Sequence, residues 1–281
     1  MNPLDPRVTL ARGGVAALAL EGVQEATRYL TPEPMQAAFA VCAIRREPSR
    51  TAEQLDQLIF GERFDMLERQ GGWAFGQALR DGYVGWVRLE TLAPAGPPPT
   101  HWVSALRTYA FGEASIKADP VACLSMNALV RVEASDGRLA RLDGSGYAPE
   151  RHLRRLGDWA HDPAAVALAY LGAPYLWGGR DSVGLDCSGL VQQAFYACGQ
   201  AAPRDSDQQA LLGRAVDREA LVRGDLVFWR GHVGMMLDAE TLIHANAFHM
   251  AVTAEPLAAA VERVVGSDGG RPTDYRRLSP A

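Results

Sequence analysis

The chain changes texture at Asp158, and this change limits what it can fold into more than any other feature. Before it, short apolar runs alternate with turn signals. In "QLIFGERFDMLERQGGWAFGQALRDGYVGWVRLETL" the pieces "QGGW" and "RDGY" separate strand-like segments, the pattern of a small β-barrel. After it, Asp162 followed by Pro163 gives an Asx N-cap with proline at the first helical position, and "AAVALAYLG" runs on to Gly172. A second helix follows "YLWGGRDSVGLDCSGLVQQAF". Then come "GDLVFW", "HVGMMLD" and "TLIHANAF" as strands joined by short turns, and a last helix, "EPLAAAVERVV", before a polar tail. Helices followed by antiparallel strands predict an α+β unit.

The expected organisation is an N-terminal arm (1–34), a first small barrel (35–95), a second (100–156) and an α+β domain (158–275), with "PAGPPP" (94–99) as a stiff linker. The two barrels echo each other. "GYVGWVRL" (82–89) and "GYAPERHL" (146–153) both start with Gly-Tyr and carry Leu seven residues after the Gly, an offset of 64 residues. Coincidence among common turn residues is the alternative.

With 281 residues, 48% of them hydrophobic and 22% charged, the chain can bury a sizeable core. A net charge of −5 offers no basic field for nucleic acid and no polybasic membrane arm. No apolar run reaches the ~18 residues of a membrane span. The leader-like stretch "GGVAALALEGV" (13–23) is short, follows Asp5 and Pro6, and has only Arg7 and Arg12 as positive flank. The expectation is an uncleaved, cytoplasmic protein. Cys42, Cys123, Cys187 and Cys198 are too scattered for a disulfide framework and form no CxxC pair. His244 and His249 would point to opposite strand faces with no third ligand apparent, so neither metal nor cofactor is expected.

Cys187 sits between Asp186, a good N-cap, and an apolar stripe at helical spacing, Leu190, Val191, Ala194 and Phe195. A helix N-terminus favours negative charge, and the thiolate is the attacking form of cysteine. Position alone is equally compatible with a core cysteine. Cys198, read as such a core residue, lies ~16 Å up the same helix, too far for a disulfide with Cys187. Histidines separate the readings. His101, His152 and His161 stand in linker or helix-start contexts, whereas His232 and His244 fall in consecutive strands with "DAE" between them. If Leu237 faces Thr241, His244 lies opposite Gly234, on the face of His232. The histidines are then diagonal neighbours ~7–8 Å apart at Cα. A one-residue slip would break this. Gly231 and Gly234 suggest close packing by another element, such as the Cys187 helix.

"DCSGLVQQAF", "GDLVFW", "GHVGMM" and "LIHANA", in this order over residues 158–270, resemble the NlpC-type (NlpC/P60) cell-wall peptidases. The resemblance implies a papain-like catalytic domain, helices packed on an antiparallel sheet, preceded by two bacterial SH3-like barrels. It implies Cys187 as nucleophile, His232 as base and acid, and His244 as the residue orienting His232. Tyr175, in "YLWGG", would help hold the oxyanion, and Trp177 would wall the cleft. "PRDSDQQ" (203–209) and "DGYVGW" (81–86) resemble the branch that cleaves γ-D-glutamyl–L-diamino-acid bonds in murein peptides with a free N-terminal L-alanine. By that resemblance Asp205, Glu47 and Tyr83 would read the ammonium, and Asp186, Ser188 and Ser206 would contact the peptide. A helix cap for Asp205 or Ser206, and a solvated charge for Glu47, are the plain alternatives. A papain-like amidase or acyltransferase would share Cys187 and the histidines but have no use for Tyr83 and Asp205. A catalytically idle wall-binding module is the non-enzymatic alternative. Oligomeric state and the identity of the diamino acid stay open.

Overall fold

The structure, a computed structural model, describes residues 4–267 and 269–278. The chain divides into two compact units, Met1–Leu156 and Gly157–Ala281.

The first unit is built from strands. A seven-stranded antiparallel sheet runs in the spatial order 92–94, 33–37, 63–70, 73–78, 84–88, 41–45, 54–59. Met35, Ile44, Leu58, Phe64 and Val87 fill its interior. The segment ahead of residue 33 is not a loose arm. It carries a three-stranded sheet, Ala11–Arg12, Val15–Ala17 and Arg28–Leu30. Val15 and Ala17, inside the leader-like stretch, pack with Trp73, Phe75 and Trp86.

Beyond residue 100, a five-stranded and a three-stranded sheet enclose Val103, Leu124, Val130, Leu142 and Leu153. Both halves of the unit end alike, with a strand, a single 3₁₀ turn and a short strand that opens on a buried leucine. The turns are Leu89–Thr91 and Glu150–His152, followed by Leu92 and Leu153. The offset is therefore three residues shorter than the Gly-Tyr alignment suggests. The proline segment is tied down rather than free: Arg63 donates to the carbonyls of Gly96 (2.6 Å) and Pro97 (3.2 Å), and Gln36 accepts from the Gly96 N–H. Gly61, at φ +80°, lies where a Cβ would come within 2.0 Å of the Leu129 carbonyl oxygen, so only glycine fits there.

The second unit packs helices on a six-stranded antiparallel sheet, in the order 214–215, 274–277, 226–229, 232–236, 241–246, 251–256. Helix α1 is Pro163–Ala169, with Asp162 Oδ1 accepting from the Ala164 and Ala165 N–H groups. Helix α2, Cys187–Ala197, is buried on every side, beyond its apolar stripe, with Gln192 bonded internally to the Tyr196 hydroxyl and the Ala202 carbonyl. Short α3 is Ser206–Gln209, and α4 is Leu257–Gly266. Three segments depart from the sequence reading. Glu255 and Pro256 end the strand Ala251–Pro256 instead of opening the last helix. Residues 274–277, read as tail, form a strand beside Leu226–Trp229, and Arg214–Ala215 adds a short edge. Among the described residues, no helix is long and apolar enough to cross a membrane.

Candidate active site

The site grows from α2 laid against the strand His232–Met236. Asp186 caps α2, accepting the Gly189 N–H at 2.8 Å, and so sets Cys187 in the first turn. Gly189 is required there because a Cβ would lie 2.2 Å from the Gly179 carbonyl oxygen. The Val233 N–H donates to the Cys187 sulfur, which brings the thiol to the backbone next to His232.

The strand register is the expected one. Met235 pairs with Ile243, Met236 with Leu242, and the Leu237 N–H donates to Thr241. His232 Nε2 and His244 Nδ1 accordingly meet at 2.8 Å. The glycines around them serve other ends than those read from the sequence. Gly231, at φ +73°, shapes the turn and faces open space, while Gly234 makes room for Leu242, 2.7 Å from an ideal Cβ.

The line of contacts does not stop at His244. His244 Nε2 lies 2.8 Å from Glu255 Oε1, and Arg263 of α4 grips both Glu255 oxygens, the Nη1–Oε2 contact at 2.6 Å. Sequence reasoning missed both residues. The same diagonal logic would have found Glu255, since His244 pairs with Thr253 and Glu255 is two residues on along that face. Reading "EP" as a helix start removed it from the strand.

Electrostatics alter the sequence picture of Cys187. Burial, reinforced by the neighbouring Asp186 carboxylate, pushes the thiol up to about 12. Burial also holds His232 down to about 3, with His244 and Arg263 adding to the effect. Both shifts favour the uncharged forms, thiol and imidazole. The helix N-terminus does not by itself produce a thiolate: the Ser188 N–H of the first turn favours the charged form, but burial outweighs it. Glu255 behaves oppositely: burial works against its charge, but hydrogen bonds from Arg263 and His244 bring it to about 2.

The other residues singled out from the sequence fall in varied settings. Tyr175 is half-buried, and its phenol is pushed up by burial and by the charge that Cys187 can carry, so it stays a donor. Trp177 is 58% exposed. Asp186 and Ser188 are buried and turned inward. Arg204, 1% exposed, donates to both Asp186 oxygens (3.0 and 2.6 Å) and to the Ser188 hydroxyl (2.8 Å), and the Gly178 N–H donates to Asp186 as well. Asp186 is therefore a buried carboxylate braced on several sides, and Ser188 is tied into the same cluster. Asp205 is half-buried and caps α3 in a capping box with Gln208, and Ser206 opens that helix. In the first unit Tyr83 is buried just before the strand Val84–Arg88. Glu47 is exposed and paired with Arg12 at 2.9 Å, while that guanidinium also lies 5.1 Å from the Trp86 ring centre. Arg12 thus already opposes the charge intended for an ammonium.

Residues 172–263, which span the nucleophile, both histidines and Glu255, match the NlpC/P60 family. The chain carries an NlpC/P60 domain and is a cysteine peptidase. Residues 44–92 match the bacterial dipeptidyl-peptidase SH3 domain. The NlpC/P60 chain is 29% identical over 213 residues to a gamma-D-glutamyl-L-lysine dipeptidyl-peptidase of Bacillus subtilis, covering 67% of this chain and 71% of the relative. It is 26% identical over 234 residues to a protein of the same name from Bacillus cereus, covering 72% and 70%. Its fold is also that of a crystallised NlpC/P60 family protein from Bacillus cereus, with a TM-score of 0.75 at 20% identity over 88% of this chain and all of that one.

Proposed function

We propose that this NlpC/P60 peptidase, papain-like in its catalytic layout, cleaves the γ-D-Glu–L-diamino-acid bond of murein peptides that begin with a free L-alanine. The observation that carries the reading is the His232–His244 hydrogen bond beside Cys187. The names of the Bacillus relatives support the bond cleaved, with lysine as the diamino acid in those proteins.

In this mechanism Cys187 Sγ attacks the γ-carbonyl carbon while its proton passes to His232 Nδ1. A neutral pair suits such concerted transfer, since neither partner has to be charged in the resting enzyme. The Cys187 N–H and the Tyr175 hydroxyl donate to the oxyanion. Collapse breaks the C–N bond, and the leaving amine takes the proton from His232. Water, deprotonated by His232, then hydrolyses the thioester and frees the thiol.

Selection for a free amino end falls to Tyr83 and Asp205, with Ser206 on the peptide backbone. Glu47 can join only if Arg12 gives it up. The half of the first unit beyond residue 100 is a second SH3-like barrel in this reading. The domains are 35–95, 100–156 and 158–275, and the enzyme acts on released peptides in cytoplasmic recycling.

The test is to incubate the protein with L-Ala-γ-D-Glu-L-Lys, its diaminopimelate analogue and their N-acetylated twins, and to detect the freed diamino acid by mass spectrometry. Cleavage of the free-amine peptides alone, abolished in Cys187→Ser and losing its discrimination in Tyr83→Phe, is expected. Cleavage of none overturns the reading. Cleavage of the acetylated peptides as well removes Tyr83 and Asp205 from recognition.

A further inference from the structure

The last link of the histidine chain is a carboxylate locked by an arginine, and its chemistry dictates where every proton upstream must sit. Glu255 lies at the end of an edge strand and Arg263 one helix away, yet they form a two-pronged pair. We infer that Glu255 and Arg263 are positioning residues that fix the tautomers of both histidines and so hand His232 a free Nδ1 lone pair. The inference rests on Cys187 and His232 as nucleophile and base.

A carboxylate held by two guanidinium donors can only accept, so His244 must carry its proton on Nε2 and donate it across the 2.8 Å contact. His244 Nδ1 is then a lone pair. It can take part in the 2.8 Å contact with His232 only as acceptor, so His232 carries its proton on Nε2. One nitrogen remains on His232, Nδ1, and it is unprotonated. A single fixed negative charge thereby sets the protonation of a ring two hydrogen bonds away. His249 also faces Glu255, at 3.8 Å, too far for a hydrogen bond and thus no substitute for Arg263.

Glu255→Gln separates this role from mere support, because the amide is nearly isosteric but can reverse. Arg263 offers only donors, so the Gln carbonyl oxygen turns to Arg263 and its NH2 turns to His244. His244 must then accept on Nε2 and donate from Nδ1, and His232 must accept on Nε2 and hold its proton on Nδ1, the wrong nitrogen for a base. Adding Arg263→Met releases the amide to turn back.

The experiment reads histidine tautomers by nitrogen-15 NMR on the full chain at neutral pH, alongside kcat and KM on L-Ala-γ-D-Glu-L-Lys. The expected result is Nε2–H on both rings in the wild type and Nδ1–H on both in Glu255→Gln. The same variant should lose roughly 100-fold or more in kcat with KM nearly unchanged. Glu255→Gln/Arg263→Met should return to Nε2–H and be faster than Glu255→Gln alone. Unchanged tautomers in Glu255→Gln, or a double variant slower than the single one, overturn the inference. Should Glu255→Gln fail to fold, Glu255→Ala decides: with the fixed acceptor gone both rings should show mixed tautomers, and wild-type tautomers kept there overturn the inference. If the wild type cleaves no murein peptide, the substrate reading fails while the tautomer result stands by itself.

Discussion

Two carboxylate–guanidinium clusters serve the active site, and they differ in what they are attached to. On the nucleophile's side, Asp186 and Arg204 are sealed from water and bonded to backbone N–H groups and a serine hydroxyl. None of those partners titrates near neutrality. On the base's side, Glu255 and Arg263 are partly open, at 13% and 21% exposure, and are wired to two imidazoles. The first cluster holds geometry. The second places protons. A buried ion pair adds little net stability over an apolar pair, yet breaking one by removing a partner costs a great deal. A partly exposed pair costs less to break, so its effects surface in chemistry before they surface in folding.

The contrast can be broken most forcefully at Arg204. Arg204→Met leaves Asp186 buried with only the Gly178 and Gly189 N–H groups and the Ser188 hydroxyl as donors, and should destabilise the fold by about 3–5 kcal/mol. Arg263→Met should cost only about 1 kcal/mol. Urea unfolding of the two variants compares them directly, and equal losses would erase the distinction.

Acid unfolding sharpens it next. His232 and His244 have folded values below the ordinary histidine value of 6.5, with His232 at about 3. The unfolded chain therefore binds protons between pH 6.5 and about 3 that the folded chain refuses. Stability is fully present above 6.5 and falls with pH, by about 1.4 kcal/mol per pH unit for His232, with His244 adding in the same direction. His232→Asn should flatten this slope, whereas Arg204→Met should lower the whole curve without flattening it. Melting temperatures from pH 7 down to 4 read both.

The smallest effect is expected where a charge pair has neither burial nor wiring. Arg12 and Glu47 meet at the surface of the first unit with side-chain exposures of 40% and 55%. Glu47→Gln should change stability by less than about 1 kcal/mol, and less still in high salt.

The sequence showed the parts of the site that are close along the chain. His232 and His244 sit in strands joined by four residues, so their register could be counted, and Asp162–Pro163 announced its helix locally. What stayed hidden depends on partners brought from afar or on signals with two readings. "EPLAAAVER" carries the residues that favour a helix start, yet pairing with the strand Thr241–Asn246 keeps Glu255 extended. A sheet-edge position then tolerates Pro256 as the last strand residue. "DYRR" has the composition of a tail and becomes a strand only because Leu226–Trp229 presents an open edge. Arg204 carries no local mark of burial, and it becomes an internal brace only through Asp186, 18 residues earlier in the chain.

Helix α4 buries only Leu257 and Ala260 completely, yet it carries Arg263. Segments so lightly held open at lower free energy than the sheet they rest on. Opening of this helix takes Arg263 away from Glu255 while the sheet and α2 still stand. The line of histidines thus hangs in part on ten residues at the margin of the unit.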